Sequence, residues 1–292
     1  MSVIVVSDYA ADDGARTDEF RMMAALASQD IAEPFEIVLA ESEARKVSFP
    51  DTLLEIAPNT RVAFFPEARS SGLKDAALRA AAGKLVAVFE ADAPPQPAWL
   101  RLAVEALDRD PAAGAVSGHT IYGEDSALKR VAGLIDRGYL ETDKIGPTPF
   151  VCNNGALYRR ELLEAFPYGD EPNPFVSGRL RSEAIRDAGM KLLFHPGMVS
   201  VHEFGGLKFL REVRRNQGFC DGRLAYLARG NGMLSRRDQL SLLFGIMHER
   251  LRWETCVCWK AAHRFIRWYD WPAAIGMLLL YRIMEWRAAA LA

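Results

Sequence analysis

A short apolar strand that ends in two acids is the feature that most constrains how this 292-residue chain can fold. Five apolar residues run from Leu85 to Phe89, and Pro94-Pro95 follow shortly after them. This pattern is typical of a strand that is covered on both faces in an α/β sheet. Glu90 and Asp92 come where the strand ends, which is the edge at which open α/β sheets bind ligands. The stretch therefore predicts a ligand site at this edge.

The two carboxylates have the chemistry of a divalent-cation site. They are hard oxygen ligands, and Mg²⁺ is usually held by one or two carboxylates together with water and phosphate oxygens. The alternative interpretation is a strand that ends in a polar turn, with acids that serve only solubility. The nine residues Lys84–Asp92 leave both interpretations open.

The surroundings of this strand resemble the centre of the family 2 glycosyltransferases, which have the GT-A fold and use nucleotide sugars. An Ala-rich amphipathic helix, Ser70–Gly83, ends in glycine and leads directly into the strand, and Trp99-Leu100 follow the prolines. Glu90 and Asp92 then correspond to the D-x-D motif of the family, with Glu90 as an accepted variant of the first acid. The resemblance implies a mixed, mostly parallel sheet, a nucleoside-diphosphate sugar as donor, and Mg²⁺ or Mn²⁺ on Glu90 and Asp92.

The start of the chain predicts a strand, a helix and a second strand, and the resemblance implies that it holds the nucleotide. Ser7 ends the first strand, and Glu41 ends the second, where the family has an acidic pair for base and ribose. A solvated loop acid is the alternative for Glu41. Lys74 and Arg79 lie where the family has an A-R-N segment, which implies contacts with the diphosphate.

Two later segments resemble the family as well. In Phe150–Glu164 we predict a strand, a turn at Gly155-Ala156 and a helix opened by Tyr-Arg-Arg-Glu, as on the acceptor side of the family. In Asp187–His202 the resemblance is partial. His202 matches a histidine that completes the metal site in some members, and neutral imidazole is a suitable ligand. A structural histidine at a strand end is the alternative.

The chain departs from the family where the catalytic base is expected. Members usually carry an E-D pair about eleven residues before the glycine that corresponds to Gly189, and this sequence has Ser177-Gly178 there. Neither residue can accept a proton from an acceptor hydroxyl. Glu183 and Glu171 are the candidate substitute bases. A non-catalytic member that binds a nucleotide sugar or a partner is therefore the alternative function.

The C-terminal part differs in charge from the rest of the chain. Residues 206–292 contain 15 Lys and Arg against 7 Asp and Glu, a net +8, and five of the six tryptophans. Residues 1–205 carry a net −10. Met277–Tyr281, between Trp271 and Trp286, favours a helix in a membrane interface. Packing on the core and a homodimer seam are the alternatives.

The overall prediction is a GT-A domain, residues 1–205, and a basic, Trp-rich helical region, residues 206–292. The expected activity is that of an inverting glycosyltransferase with a glycan or lipid-linked acceptor. Four cysteines without a C-x-x-C pair favour a reduced, cytoplasmic setting, with contact to the inner face of the membrane as an option. We expect no nucleic-acid partner. A Rossmann oxidoreductase is disfavoured because no G-x-G-x-x-G follows the first strand.

Overall fold

The structure, a computed structural model, describes residues 1–7, 16–66, 69–138, 142–171, 173–227 and 236–289. The chain divides into two compact units. The first comprises Met1–Thr120, Thr142–Glu171 and Ser177–Glu203, and the second comprises Ile121–Glu141, Pro172–Val176 and Phe204–Ala292. The division into a domain of residues 1–205 and a region of residues 206–292 remains a proposal. The sequence also predicts a loop at Pro66–Gly72, a helix at residues 125–140 and a helix at Gly218–Ala228; of these, residues 67–68, 139–140 and Ala228 lie outside the described residues.

Strands and helices alternate in the first part of the chain, and the regular elements that the structure describes after residue 201 are all helices. The strands are β1 (Ser2–Val6), β2 (Glu36–Ser42), β3 (Thr60–Phe65), β4 (Leu85–Glu90), β5 (Ala113–Ile121), β6 (Gly146–Pro147), β7 (Ala156–Arg159) and β8 (Lys191–Val201). The helices are α1 (Thr17–Ala27), α2 (Thr52–Ile56), α3 (Ser70–Ala80), α4 (Trp99–Arg109), α5 (Ala127–Arg137), α6 (Arg160–Ala165), α7 (Pro174–Asp187), α8 (Gly206–Leu227), α9 (Arg236–Phe265) and α10 (Trp271–Ala289). Short 3₁₀ helices span Glu43–Ser48 and Trp268–Asp270.

Among the described residues, eight strands form one mixed sheet in the order β3-β2-β1-β4-β7-β5-β8-β6. β1, β2, β3 and β4 pair in parallel, whereas β7 pairs antiparallel with both β4 and β5. β1 and β4 each consist mainly of consecutive apolar residues, and the side chains of both strands are almost all buried. They are buried because helices cover both faces of the sheet. Trp99 packs edge-on against Phe89, with 4.7 Å between the ring centroids, and fixes the chain just beyond the acids.

The strand predicted within Phe150–Glu164 forms at a different position in that segment. We predicted the strand before the turn at Gly155-Ala156, but residues 150–155 have no strand and β7 begins at Ala156. Gly155 has a φ of 74°, a left-handed conformation that costs glycine nothing. The reversal at this residue brings Ala156 opposite Val88, so the strand forms after the turn and not before it.

The helices of the second unit are longer than predicted. The sequence predicts two helices here, Lys208–Arg215 and Gly218–Ala228, but α8 passes through Gly218 without a break. A Cβ on Gly218 would lie 2.4 Å from the carbonyl oxygen of Glu285 and 2.8 Å from Cβ of Ala288. The glycine therefore permits a close approach of α8 and α10. The sequence also predicts that the helices of Leu240–Trp286 break near Pro272, and this is confirmed: α9 ends at Phe265, and Pro272 lies in the first turn of α10, where proline is tolerated.

A buried network of charges connects α5, α8, α9 and α10. Arg214 forms ion pairs with Asp136 and with Glu285, the latter at 2.9 Å. Arg282 contacts Glu285 at 2.9 Å and Glu254 at 2.7 Å. All five side chains are at least nine-tenths buried. The stability of such a network depends on every member, because removal of one side chain leaves a buried charge without its partner.

Glu285→Ala is expected to destabilise the protein by about 3–5 kcal/mol, because two buried guanidinium groups lose a shared partner. Glu249→Ala on the exposed face of α9 is the control and should change stability by less than about 0.5 kcal/mol. Urea unfolding measures both changes. A loss below about 1 kcal/mol for Glu285→Ala would show that the network is not required for stability.

Candidate active site

The parallel strands bring three of the predicted residues to one edge of the sheet. Val6 of β1 pairs with Ala40 of β2 on one side and with Glu90 of β4 on the other. Ser7 and Glu41 each follow directly, so both come to the edge that carries Glu90. The Ser7 hydroxyl oxygen is buried and has no hydrogen-bond partner among the described residues. This edge is where α/β sheets of this kind bind ligands.

Asp92 and His202 come together although they are far apart in the sequence. The end of β8 is tied to the segment after β4 by two backbone hydrogen bonds, from Val201 to Pro94 at 3.0 Å and from Glu203 to Asp92 at 2.7 Å. His202 Nε2 then lies 3.6 Å from Asp92 Oδ2. One ligand atom each from Glu90, Asp92 and His202 lies within 4.8 Å of the others. These three residues could hold one metal ion.

The orientation of the His202 ring suits metal binding. Its Nδ1 lies 2.7 Å from the carbonyl oxygen of Glu203, and a carbonyl can only accept a hydrogen bond. Nδ1 therefore donates, and in the neutral ring this leaves the lone pair of Nε2 on the side of Asp92. Metal-bound histidines usually donate their second ring N–H in this way.

Glu90 is held by a buried lysine. Lys74 Nζ lies 2.5 Å from Glu90 Oε1 and 3.1 Å from the carbonyl oxygen of Asn153, and its side chain is 3% exposed. The predicted residue Lys74 therefore lies at the acid-x-acid motif, with one carboxylate oxygen of Glu90 committed to it. Arg79, five residues further along α3, is exposed and is not brought to this cluster.

Glu41 lies among charges that the sequence did not reveal. Its carboxylate accepts a hydrogen bond from Arg16 at 2.7 Å and lies 3.6 Å from Arg45. The same two arginines lie near Glu19, whose pKa is raised by burial. Glu41 is 1% exposed. The alternative interpretation of Glu41 as a solvated loop acid is therefore wrong, because the side chain is buried.

A different side chain occupies the space at the position of the missing base. A Cβ on Gly178 would lie 2.8 Å from Asn153 Nδ2 and 2.9 Å from Asn153 Oδ1. Arg181 donates to this Oδ1 at 2.7 Å and holds the amide in place. Ser177 is buried, and its hydroxyl donates to the carbonyl oxygen of Tyr168 at 2.8 Å. An acid at residue 178 would have to displace Asn153.

Arg181 is buried with tyrosines around it. It donates to the Tyr158 hydroxyl at 2.9 Å, and its Cζ lies 3.7 Å from the centre of the Tyr168 ring. Burial raises the pKa of Tyr158, so that hydroxyl stays neutral and does not compensate the guanidinium. Lys74 Nζ lies 5.1 Å from the same Tyr168 ring. Two buried cations therefore lie close to one aromatic side chain near Glu90.

The two candidate bases lie in different surroundings. Glu183 is half-exposed and accepts a hydrogen bond from Arg179 at 3.0 Å, and it faces away from Arg181 because it lies two residues further along the helix. Glu171 is half-buried and follows the loop of Tyr168, whose backbone N–H donates to Asp75 at 2.9 Å. The structure therefore separates Glu183 from the buried face of α7.

Arg159 and Arg160, which resemble the acceptor-side arginines of the family, form hydrogen bonds with backbone carbonyl groups. Arg159 donates to the carbonyl oxygens of Ala113 and Leu107, both at 2.9 Å. Arg160 donates to the carbonyl oxygens of Leu78 at 3.0 Å and Ala81 at 2.7 Å, at the end of α3. Three of these four carbonyl groups lie at or next to the C-terminal ends of α3 and α4, where cations commonly bind.

Two solved structures are similar to this chain over almost its whole length. The mannosyltransferase PcManGT from Pyrobaculum calidifontis, in complex with GDP-Man and Mn²⁺, has a TM-score of 0.64 and 19% identity and covers 99% of this chain and 85% of that chain. S. aureus TarS 1-349, in complex with UDP-GlcNAc, has a TM-score of 0.52 and 14% identity and covers 96% of this chain and 80% of that chain. No curated protein matches the sequence.

The sheet and these likenesses define the class as a GT-A glycosyltransferase fold, which confirms the predicted fold. The family model of glycosyl transferase family 2 matches residues 21–166, which is half of the chain. The chain belongs to that family and is a glycosyltransferase.

Proposed function

We propose that this protein is an inverting, metal-dependent glycosyltransferase that moves a sugar from a nucleoside-diphosphate donor to a glycan or lipid-linked acceptor. Polysaccharide or cell-envelope glycan synthesis is the proposed role. The observation that carries the proposal is the cluster of Glu90, Asp92 and His202 at the sheet edge that also carries Glu41. A mannosyltransferase of the same fold, in complex with GDP-Man and Mn²⁺, supports the donor class and the metal.

Different side chains of the protein would serve different steps of this reaction. Asp92, His202 and the second oxygen of Glu90 would hold Mg²⁺ or Mn²⁺, which when bound supplies positive charge for the leaving diphosphate. Lys74 adds a fixed ammonium beside them, and a preorganised charge needs no rearrangement during the reaction. The remaining step is removal of the acceptor proton by a carboxylate, for which Glu171 and Glu183 are the candidates; Glu171 is preferred because Glu183 lies on the outer face of α7, away from Arg181.

Product analysis tests this proposal. With a donor and an acceptor that react, nucleoside diphosphate release should stop with a chelator and return with Mn²⁺. The anomeric configuration of the product, measured by proton NMR, should be opposite to that of the donor. Retention of configuration would contradict a single displacement, and full activity in chelator would contradict the metal.

Glu41→Gln is expected to weaken binding of nucleoside diphosphates by about 1.5–3 kcal/mol, because a hydrogen bond to a charged acceptor is lost. The buried carboxylate can accept further hydrogen bonds beside those from Arg16 and Ser42, since each oxygen has two lone pairs. Titration calorimetry measures the change. Glu43→Gln, exposed two residues further on, is the control. If Glu41→Gln leaves the affinity for nucleoside diphosphates unchanged, the role of Glu41 is only to pair with Arg16 and Arg45.

One observation favours a second candidate, a non-catalytic GT-A-like protein that binds a nucleotide sugar or a partner. The Asn153 amide fills the space beside Gly178, where the family has its base. In that case the protein would bind the nucleotide, but no sugar transfer would be measured with any pair of donor and acceptor.

We also infer that the chain works at the cytoplasmic face of a membrane through its C-terminal helices, with a homodimer as the competing use of these helices. None of the described helices is long and apolar enough to cross a bilayer. The net +8 charge and the five tryptophans of residues 206–292 support a peripheral contact.

A further inference from the structure

Helix α10 buries two of its three charged side chains and exposes large apolar ones. Arg282 and Glu285 are 8% and 0% exposed. Ile275, Leu279 and Ile283 are 58%, 63% and 59% exposed, and they share one face because they lie four residues apart. An amphipathic helix of a globular protein shows the opposite arrangement.

The exposed face of α9 continues this apolar surface. Phe244 is 57% exposed and packs edge-on against Trp286, with 4.8 Å between the ring centroids. Trp259 is 71% exposed and lies 5.0 Å from Trp271 by the same measure. Contacts at both ends of the pair of helices therefore join the two faces. We define the outer apolar surface as Phe244, Trp259, Ile275, Leu279, Ile283 and Trp286. The side chain of Trp253 lies outside the described residues.

The buried charges fix this orientation. Arg282 is held by Glu254 and Glu285, and Glu285 is also held by Arg214. A rotation of α10 that covered Leu279 would pull Arg282 and Glu285 out of these pairs. Breaking a buried pair is strongly unfavourable, so the apolar face stays outward.

Exposed charges around this surface are mostly positive. Among the described side chains of residues 241–289, Glu249 is the single exposed acid, while the other three acids are buried. The exposed cations are Arg252, Lys260, Arg267 and Arg287. A groove of about 540 Å³ along α9 has Arg252, Trp259 and Lys260 in its lining, so basic and aromatic groups lie side by side.

We propose that the outer apolar surface docks into the interfacial layer of a membrane that contains anionic lipids. Tryptophan favours the depth of the headgroups, and exposed Lys and Arg are attracted to anionic headgroups. A symmetric dimer through the same surface would place cations against cations, because such an interface uses the same patch on both copies. The inference rests on the membrane part of the proposed function and adds the residues and the lipid chemistry.

Vesicle sedimentation of the full chain without nucleotide tests the docking surface. The protein should sediment with vesicles of phosphatidylglycerol and phosphatidylcholine and bind far more weakly to phosphatidylcholine alone. Leu279→Ser with Ile283→Ser should lower the partition coefficient at least about tenfold, because two aliphatic side chains no longer enter the apolar layer. Leu207→Ser is the matched control, since Leu207 is 72% exposed on α8 and lies outside the surface.

A charge variant separates the lipid from other occupants. Arg252→Glu with Lys260→Glu should lower binding to anionic vesicles about tenfold or more and should not affect the weak binding to phosphatidylcholine. Full-chain protein that stays in the supernatant would overturn the proposal, as would an equal loss in Leu207→Ser. A dimer in sedimentation velocity that the double serine variant converts to monomer, without vesicle binding, would assign the surface to a second copy. Vesicle binding without any nucleotide binding would contradict the glycosyltransferase proposal alone.

Discussion

Asp92→Asn is expected to abolish the Mn²⁺-dependent binding of nucleoside diphosphates while the fold stays intact. Asp92 is 8% exposed and lies beside Glu90 and His202, so its carboxylate is the central charge of the cluster. Asparagine has the same shape but is neutral, and a divalent cation needs the anionic oxygen. Affinity in the presence of Mn²⁺ should fall by at least about 100-fold, since loss of groups that only support a ligand already costs 10–100-fold.

The control for this prediction is Asp30→Asn. Asp30 lies on the surface in an ion pair with Arg101 at 3.2 Å, and exposed pairs contribute little. Titration calorimetry with and without Mn²⁺ gives both affinities, and thermal unfolding checks the fold. Asp92→Asn with unchanged Mn²⁺-dependent affinity would make this residue a turn acid and would remove the basis of the metal proposal.

Glu171→Gln is expected to lower the rate of sugar transfer by about 10²–10⁴-fold and to leave nucleotide affinity unchanged, because a general base acts only on the reacting proton. Glu183→Gln is the matched control on α7, and little change is expected because Glu183 is held by Arg179 on the outer face. Single-turnover rates and calorimetry measure the two effects separately.

The possible outcomes distinguish the alternatives for the base. A large loss in Glu183→Gln with an active Glu171→Gln would assign the role to Glu183. Full activity in both variants would exclude both acids. A chain that binds the donor but transfers no sugar even before mutation would support the non-catalytic candidate.

Local patterns explain why much of the first unit could be predicted. β4 was predicted at Leu85–Phe89 because an apolar run between a glycine and two prolines has few other structures. The position of Glu41, Glu90 and Asp92 followed from one rule, that the carboxyl ends of parallel strands meet at one edge. α3 followed from the alanine content and the amphipathic spacing of Ser70–Gly83.

Non-local contacts explain what the sequence did not reveal. The partner of Asp92 is set by hydrogen bonds between the end of β8 and the segment after β4, and only a family resemblance indicated His202. The ion pair of Lys74 with Glu90 and the fit of Asn153 against Gly178 also depend on packing between distant segments. The direction of α10 could not be predicted because the helix is apolar on most of its surface, and only the buried partners of Arg282 decide which side faces outward.

In the proposed function, the edge of the sheet at Glu41, Glu90, Asp92 and His202 binds a nucleoside-diphosphate sugar together with a metal ion. The most direct measurement is thermal unfolding of the unaltered chain in a panel of GDP-sugars and UDP-sugars, each with Mn²⁺ and with chelator. A ligand that binds the native state adds about 2.7 kcal/mol of stability at 100 times its dissociation constant, so the unfolding midpoint must rise. We predict a rise for at least one sugar nucleotide with Mn²⁺ and none with chelator. No rise for any member of the panel, or an equal rise in chelator, would contradict the account.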